Sequence, residues 1–371
     1  MNSLSKWLFL IISAVAITIV VTTGCSSLGG SLDREDEMLY QKSKNFNSEK
    51  KVFENRIPDI NERWKKRVYT YAAFKEFLFT GENRRPNEKL PEQKPEIDKF
   101  LSNKDNPQVI WFGHSSFLLS LQGKTILVDP VFSASASPWR FLNKRFQPPV
   151  LSLKELPVID YVLISHDHYD HLDMESIRFF GDQNIKFLVP LGVSVHLRKW
   201  GIDKNKIKEF DWWDELQLEN FQFVFTPSQH FSGRALFDEA KTLWGSWVIN
   251  SQNYNVYFSG DSGYDTHFKE IGDRYGPFDI AFLECGQYNE KWKEAHLMPE
   301  DTMRAFVDLK AKQLFPVHWG LFDMAIHAWN EPAQKIYALS RQQKAQVVIP
   351  QIGEMIDLNQ KYETKVWWNQ L

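Results

Sequence analysis

Apolar residues along this chain follow two periodicities, and each marks a different kind of element. Between residues 52 and 79 they recur at helical spacing, at Trp64, Val68, Tyr71, Phe74, Phe77 and Leu78, which predicts one or two amphipathic helices. Beyond residue 108 the runs shorten and turn β-branched or aromatic, as in Val109-Ile110-Trp111-Phe112 and the stretches 116–121 and 125–128, with Gln122-Gly123 as the turn between the last two. Further strands are predicted over 161–165, 186–189, 221–225, 255–258 and 314–317, and helical spacing returns over 195–200, 303–309 and 332–339. Strands with interspersed helices and no sustained βαβ alternation point to an α/β (α+β) fold, with two sheets packed together and helices outside.

The polar residues that follow these strands are not ordinary turn formers. After 161–165 comes His166-Asp167-His168-Tyr169-Asp170-His171, in which four side chains, His166, His168, Asp170 and His171, can bind a metal. Residues two apart project to the same side of a strand end, so His166 and His168 can converge on one ion and leave Asp170 and His171 for a second. Nitrogen and carboxylate donors without a thiol suit zinc first, and iron or manganese next. Only 10 histidines occur in 371 residues, so three within six positions is a concentration rather than background. Later strands end in the same way, at His230, Asp261 and His318.

Composition narrows the setting. Aromatics make up 15% of the chain, with 14 Trp and 28 Phe, which favours a packed core over disorder. A net charge of -3 and no basic tract argue against nucleic acid as a partner. The N-terminus reads as an export signal over residues 1–24: Lys6, an apolar run over 7–21 that is short for a membrane span, and Thr22-Thr23-Gly24 before Cys25. That end resembles the lipobox of bacterial lipoproteins, which implies lipidation at Cys25 and an outer-membrane location facing the periplasm; an uncleaved N-terminal anchor is the other reading. Residues 25–50 read as a flexible tether, 51–104 as a helical extension with a Pro-rich linker, and 105–371 as the main domain. Cys285, the second of two cysteines, reads as a buried small hydrophobe, so disulfides do not hold this fold.

Taken in order, His166-x-His168-x-Asp170-His171, His230, Asp261 and His318 resemble the metallo-β-lactamase superfamily, which implies an αββα sandwich. The resemblance assigns His166, His168 and His230 to one metal and Asp170, His171 and His318 to another, with Asp261 bridging them. An Asp at that bridging position argues against antibiotic hydrolysis. Phe112-Gly113-His114-Ser115-Ser116, the stretch 127–133, Lys144-Arg145-Phe146-Gln147-Pro148-Pro149, Trp244-Gly245-Ser246-Trp247 and Val317-His318-Trp319-Gly320 look like the N-acylphosphatidylethanolamine-hydrolysing phospholipase D family.

That family implies a two-zinc phosphodiesterase, in which a hydroxide held between the ions attacks phosphorus and releases an N-acylethanolamine and phosphatidic acid. It makes Asp170 part of the catalytic centre. His114 and Asp129 read as residues that orient ligands and loops, since a metal-bound His needs an acceptor on its other nitrogen, with a strand-end hydrogen bond as the alternative; His296 reads as a loop group that donates a proton or holds the phosphate, with a surface His as the alternative. Tyr288 and His296 are expected to touch substrate; the aromatic stretches 139–146 and 212–213 are candidates to border an acyl groove, with ordinary core the favoured reading of each. The stretch Leu283-Glu284-Cys285-Gly286-Gln287-Tyr288 departs from the apolar, Pro- and Ala-containing version of animal enzymes, so the lipid identity stays open. Lactone or ester hydrolysis and a non-catalytic metal-binding envelope lipoprotein are the competing readings.

Overall fold

The computed structural model describes residues 26–369 except Asp105 and Leu236, so the apolar run and Cys25 lie outside the described residues. The described residues open with α1 (Arg34–Tyr40), a hairpin of β1 (Phe46–Asn47) and β2 (Val52–Phe53), then α2 (Ile60–Val68), α3 (Tyr71–Phe79) and α4 (Ile97–Ser102). Asp33 starts α1 through a capping box with Asp36.

The expectation of a flexible tether is corrected here over residues 26–50. Tyr40 and Phe46 are buried in the central core, Trp200 Nε1 donates to the Ser26 carbonyl at 2.9 Å, and Arg234 Nη2 donates to the Ser27 carbonyl at 2.8 Å. Two aromatic anchors outweigh the polar composition that suggested a tether.

Strands β3 (Gln108–Trp111), β4 (Phe117–Leu121), β5 (Lys124–Val128), β6 (Tyr161–Leu163), β7 (Lys186–Pro190) and β8 (Ile207–Phe210) build one sheet. A second follows from β9 (Glu215–Leu218), β10 (Phe221–Thr226), β11 (Ser246–Ser251), β12 (Tyr254–Phe258), β13 (Ile280–Glu284), β14 (Gln313–Val317) and β15 (Gln346–Val347). Strand β16 (Met355–Asp357) then returns to pair with β3 at the edge of the first sheet. Helices α5 (Met174–Phe179), α6 (Ser194–Lys199), α7 (His267–Tyr275), α8 (Pro299–Asp308) and α9 (Glu331–Gln343) cover the sheets. The order is helix, sheet, sheet, helix.

Alternation along each strand explains the layering. In β4, Phe117, Leu119 and Leu121 enter the core shared with the second sheet, while Leu118 joins the cluster under the outer helices. Phe117 stacks on Phe282 of β13, with ring centroids 4.2 Å apart and planes within 7°. Burying each such ring contributes about 1.5–3 kcal/mol relative to leaving it exposed, and this fixes how the two sheets sit on one another.

Their register sets where the strand-end loops meet. Gly245 donates its N–H to the Ser165 carbonyl at 3.1 Å, and Trp247 Nε1 donates to the Ile164 carbonyl at 2.9 Å, tying the end of β6 to the start of β11. Gly260 has a φ of 55°, and a Cβ there would lie 2.6 Å from the Gly245 carbonyl and 2.8 Å from Ser165 Cβ. Only glycine lets the loop after β12 approach the loop after β6 this closely.

Candidate metal centre

The histidine nitrogens gather where those loops meet. His166 Nε2 lies 2.9 Å from His168 Nδ1, and His230 Nε2 lies 3.2 Å from the same atom, so these three rings point at one position. Asp170, His171 and His318 form a second group with His114, all four buried and with ligand atoms within 4.8 Å of one another. Asp261 Oδ2 sits between the groups: it is 3.8 Å from His166 Nε2 and 3.7 Å from His230 Nε2 on one side, and 3.2 Å from His171 Nε2 and 3.1 Å from His318 Nε2 on the other.

The far nitrogen of each ring determines which nitrogen is free to ligate. His171 Nδ1 lies 2.7 Å from Asp129 Oδ2, and a carboxylate only accepts, so Nδ1 carries a proton and Nε2 is the nitrogen whose lone pair is freed when the ring is neutral. His230 Nδ1 donates to the Ala295 carbonyl at 2.9 Å with the same result. The Ser165 hydroxyl donates to Asp129 Oδ2 at 2.6 Å, which leaves its oxygen to accept from His166 Nδ1 at 3.0 Å. His114 acts differently. Its Nε2 faces Asp170 Oδ2 at 2.8 Å and donates to it, so it orients that carboxylate rather than offering a lone pair. His114 and His318 both hold φ above 50° and exchange backbone bonds, His114 N–H to the Trp319 carbonyl and His318 N–H to the His114 carbonyl, which locks the β3–β4 loop onto the end of β14.

Electrostatics divides the histidines into two sets. Burial pushes His166 and His230 well below the usual histidine range, lowers His168, and takes His114 down to about 4, so these rings are neutral. Burial also acts on His171 and His318, but the carboxylates of Asp261 and Asp170 outweigh it, holding His171 well up and His318 up to about 10. The same pairing holds Asp170 and Asp261 well below the carboxylate range against burial. Two buried carboxylates thus demand positive charge between them, which protons supply when no cation does. His171 Nε2 and Asp261 Oδ1 are buried without a hydrogen-bond partner. Unpaired ligand atoms, an N/O donor set and a concentrated negative charge fit a metal ion.

A cavity of about 380 Å³ opens over these ligands. Its walls are mostly apolar, from Trp64, Val68, Phe231, Trp292 and Met324, with Asn143, Gln287 and His296 as polar contacts. Trp64 and Val68 come from α2, so the N-terminal extension forms part of the cleft; sequence periodicity shows that this helix buries a face but not against what. Asn55 fixes the His230 backbone from the same extension, its Nδ2 donating to the His230 carbonyl at 2.7 Å.

Several expected contacts lie elsewhere. Tyr288 does not line the cleft: its hydroxyl donates to Glu331 at 2.8 Å and its ring stacks on His327 at 4.3 Å. Gln287 adopts a φ of 59°, which breaks the strand-like alternation and puts residue 287, not 288, at the cleft. Trp212 is buried with its Nε1 on the Trp244 carbonyl at 2.6 Å, and Trp213 stacks on Tyr275, so neither borders the cavity. Of the stretch 139–146, Asn143 lines it. Cys285 is buried, and burial pushes its thiol well up, so it is inert.

One polar residue in the centre escapes sequence reasoning. Glu284 is fully buried at the end of β13 and touches both His296 and His318. Its only signal is a charged residue closing the otherwise apolar run Ile280–Glu284.

A family model described as Beta-lactamase superfamily domain matches residues 124–319. An uncharacterized protein of Mycobacterium tuberculosis is 40% identical over 289 residues, which cover 76% of this chain and 77% of that protein. The N-acyl-phosphatidylethanolamine-hydrolyzing phospholipase D 1 of Caenorhabditis elegans is 31% identical over 313 residues, 78% of this chain and 86% of that one. Among solved structures, a metallo hydrolase from Ignicoccus hospitalis shares the fold with a TM-score of 0.52 at 23% identity, covering 70% of this chain and 100% of its own. This chain belongs to the beta-lactamase superfamily and is one of its metal-dependent hydrolases.

Proposed function

We propose that this hydrolase holds two zinc ions and cleaves phosphodiesters of the N-acylphosphatidylethanolamine type, held at a bacterial envelope membrane through its N-terminal segment and lipidated Cys25. The observation that carries the two-ion reading is the position of Asp261 Oδ2, within 3.1–3.8 Å of nitrogens from both histidine groups. His166, His168 and His230 would hold one ion, Asp170, His171 and His318 the other, and Asp261 both. The absence of thiols among these donors favours zinc, with iron and manganese as the other candidates.

Bound there, two divalent ions would supply a water nucleophilic at neutral pH and positive charge facing the phosphate oxygens. The chain's own groups do the rest. Water adds to phosphorus, the bond to the leaving alkoxide breaks, and that oxygen needs a proton. His296 lines the cleft with its ring parallel to His318, centroids 5.3 Å apart, and Nδ1 on Glu284, so Nε2 is the atom that gives the proton or holds the phosphate. The apolar walls exclude water and accept a hydrocarbon chain. Tyr69 on the cleft rim is exposed, as are Tyr71 and Phe74 of α3, the helix that follows it in the chain, and this suits a site that takes its substrate from a lipid surface. The C. elegans relative named above acts on such a lipid by its name, which supports the same substrate class here.

The test is a parallel assay of purified protein on N-acylphosphatidylethanolamine vesicles and on a lactone panel. Release of N-acylethanolamine is the expected result. Lactone turnover with no phosphodiester cleaved would overturn the reading.

A further inference from the structure

Glu284 connects three parts of the site that are far apart in sequence. Its Oε1 accepts the N–H of Ser262 at 2.6 Å, next to the bridging Asp261, and the N–H of Leu297 at 3.2 Å, next to His296. Its Oε2 accepts from His296 Nδ1 at 2.9 Å and lies 3.3 Å from His318 Nδ1, the latter without a hydrogen-bonding angle. Its ion-pair partners among the described residues are these two histidines, with no Lys or Arg. A fully buried carboxylate held only by amides and imidazoles is costly to desolvate, so its place at the site needs a reason.

We propose that Glu284 is a positioning residue that sets the tautomer of His296 through a hydrogen bond and places negative charge behind the His318 ring, so that both rings present Nε2 to the cleft. The parallel rings, 6° apart in plane, turn both Nδ1 atoms toward this one carboxylate. Gly286 belongs to the same device: a Cβ there would lie 2.0 Å from the His318 carbonyl, so only glycine lets the chain leave Glu284 and pass His318. For His318 the proposal rests on the two-metal reading, and for His296 on cleft geometry alone.

Glu284→Gln separates shape from polarity. Its amide oxygen keeps the Ser262 and Leu297 bonds, and its NH2 then faces His296 Nδ1, which must become an acceptor. Two readouts do not depend on turnover. Ring-nitrogen correlation spectra of labelled full-length protein should show the His296 proton moved from Nδ1 to Nε2. Chelator competition with zinc should show one of the two sites weakened about 10–100-fold and the other unchanged.

Glu284→Asp keeps the charge and serves if the Gln variant does not fold. It should retain the wild-type tautomers with intermediate zinc affinity. Wild-type tautomers and zinc affinities within twofold in the Gln variant overturn the proposal, as does a His296 proton moved to Nε2 in the Asp variant. Should Glu284→Gln shift both readouts in a protein that cleaves no phosphodiester, the functional reading falls and the positioning role stands. Phosphodiester cleavage with neither readout shifted overturns the positioning role and leaves the functional reading in place.

Discussion

Replacing Asp129 by Asn alters one buried carboxylate without altering its shape, which makes it a clean probe of how the centre is held. Asp129 accepts at three points: Oδ2 from His171 Nδ1 at 2.7 Å and from the Ser165 hydroxyl at 2.6 Å, and Oδ1 from the Ser165 N–H at 2.8 Å. The Asn amide has one acceptor end, so either orientation sets its NH2 against a donor. A backbone N–H cannot move its proton, whereas an imidazole can, so the favoured outcome turns the amide NH2 toward His171 and shifts that ring's proton to Nε2. His171 then has no lone pair for a metal.

Loss of an orienting partner of this kind costs about 10–100-fold in metal affinity. At about 1.4 kcal/mol per tenfold, that is about 1.4–2.8 kcal/mol. The metal-free protein should lose about 1–3 kcal/mol for the mismatched buried donor. Competition against a chromophoric chelator, resolved into the two binding steps of the two-ion proposal, is the assay: one step should weaken and the other, assigned there to His166, His168 and His230, should stay within a fewfold. Two unchanged steps would refute the account of Asp129 as the group that fixes His171.

Further outcomes follow from the same contacts. Gly286→Ala should lower thermal stability by about 1–3 kcal/mol and weaken one metal step, because its methyl would have to displace the His318 backbone; an unperturbed melting curve would show that the loop has slack. Tyr288→Phe should leave KM for any substrate within twofold and cost about 1 kcal/mol through the lost bond to Glu331, and a large KM rise would return Tyr288 to the binding surface. Asp167 is held well below the carboxylate range, burial opposing and the His196 ring prevailing, so its contribution to stability is present above the unfolded value of about 3.9 and fades as pH falls below it. The stability gap between wild type and Asp167→Asn, measured by denaturant unfolding of the metal-free protein, should therefore be constant from pH 7 to about 4.5 and shrink at lower pH. A gap that widens in acid contradicts the pairing.

Much of the candidate centre is legible in the sequence, for a physical reason. Side chains that are to reach a common ion must leave strand ends, so each candidate appears as a His or Asp just after an apolar run, and His166-Asp167-His168-Tyr169-Asp170-His171 carries four of them at once. Glu284 obeys the same rule, yet it does its work by hydrogen bonds to rings that come later in the chain, and a lone strand-end Glu reads like any cap. Trp64 and Asn55 stay hidden because helical spacing shows that a face is buried without showing its partner. The misplaced Tyr288 traces to a single left-handed residue, Gln287, which no alternation pattern reveals. The ordered N-terminal segment looks like a tether in sequence because Tyr40 and Phe46 are only two anchors in a polar stretch, and their partners lie in the distant core.

The most direct test of the central claim measures zinc content and phosphodiester turnover on the same samples of full-length protein, as the metal is stripped stepwise and restored. Two zinc ions per chain in the active protein, with turnover falling as the first ion leaves and returning on replacement, is the predicted result. Full turnover with one ion or none per chain would contradict it.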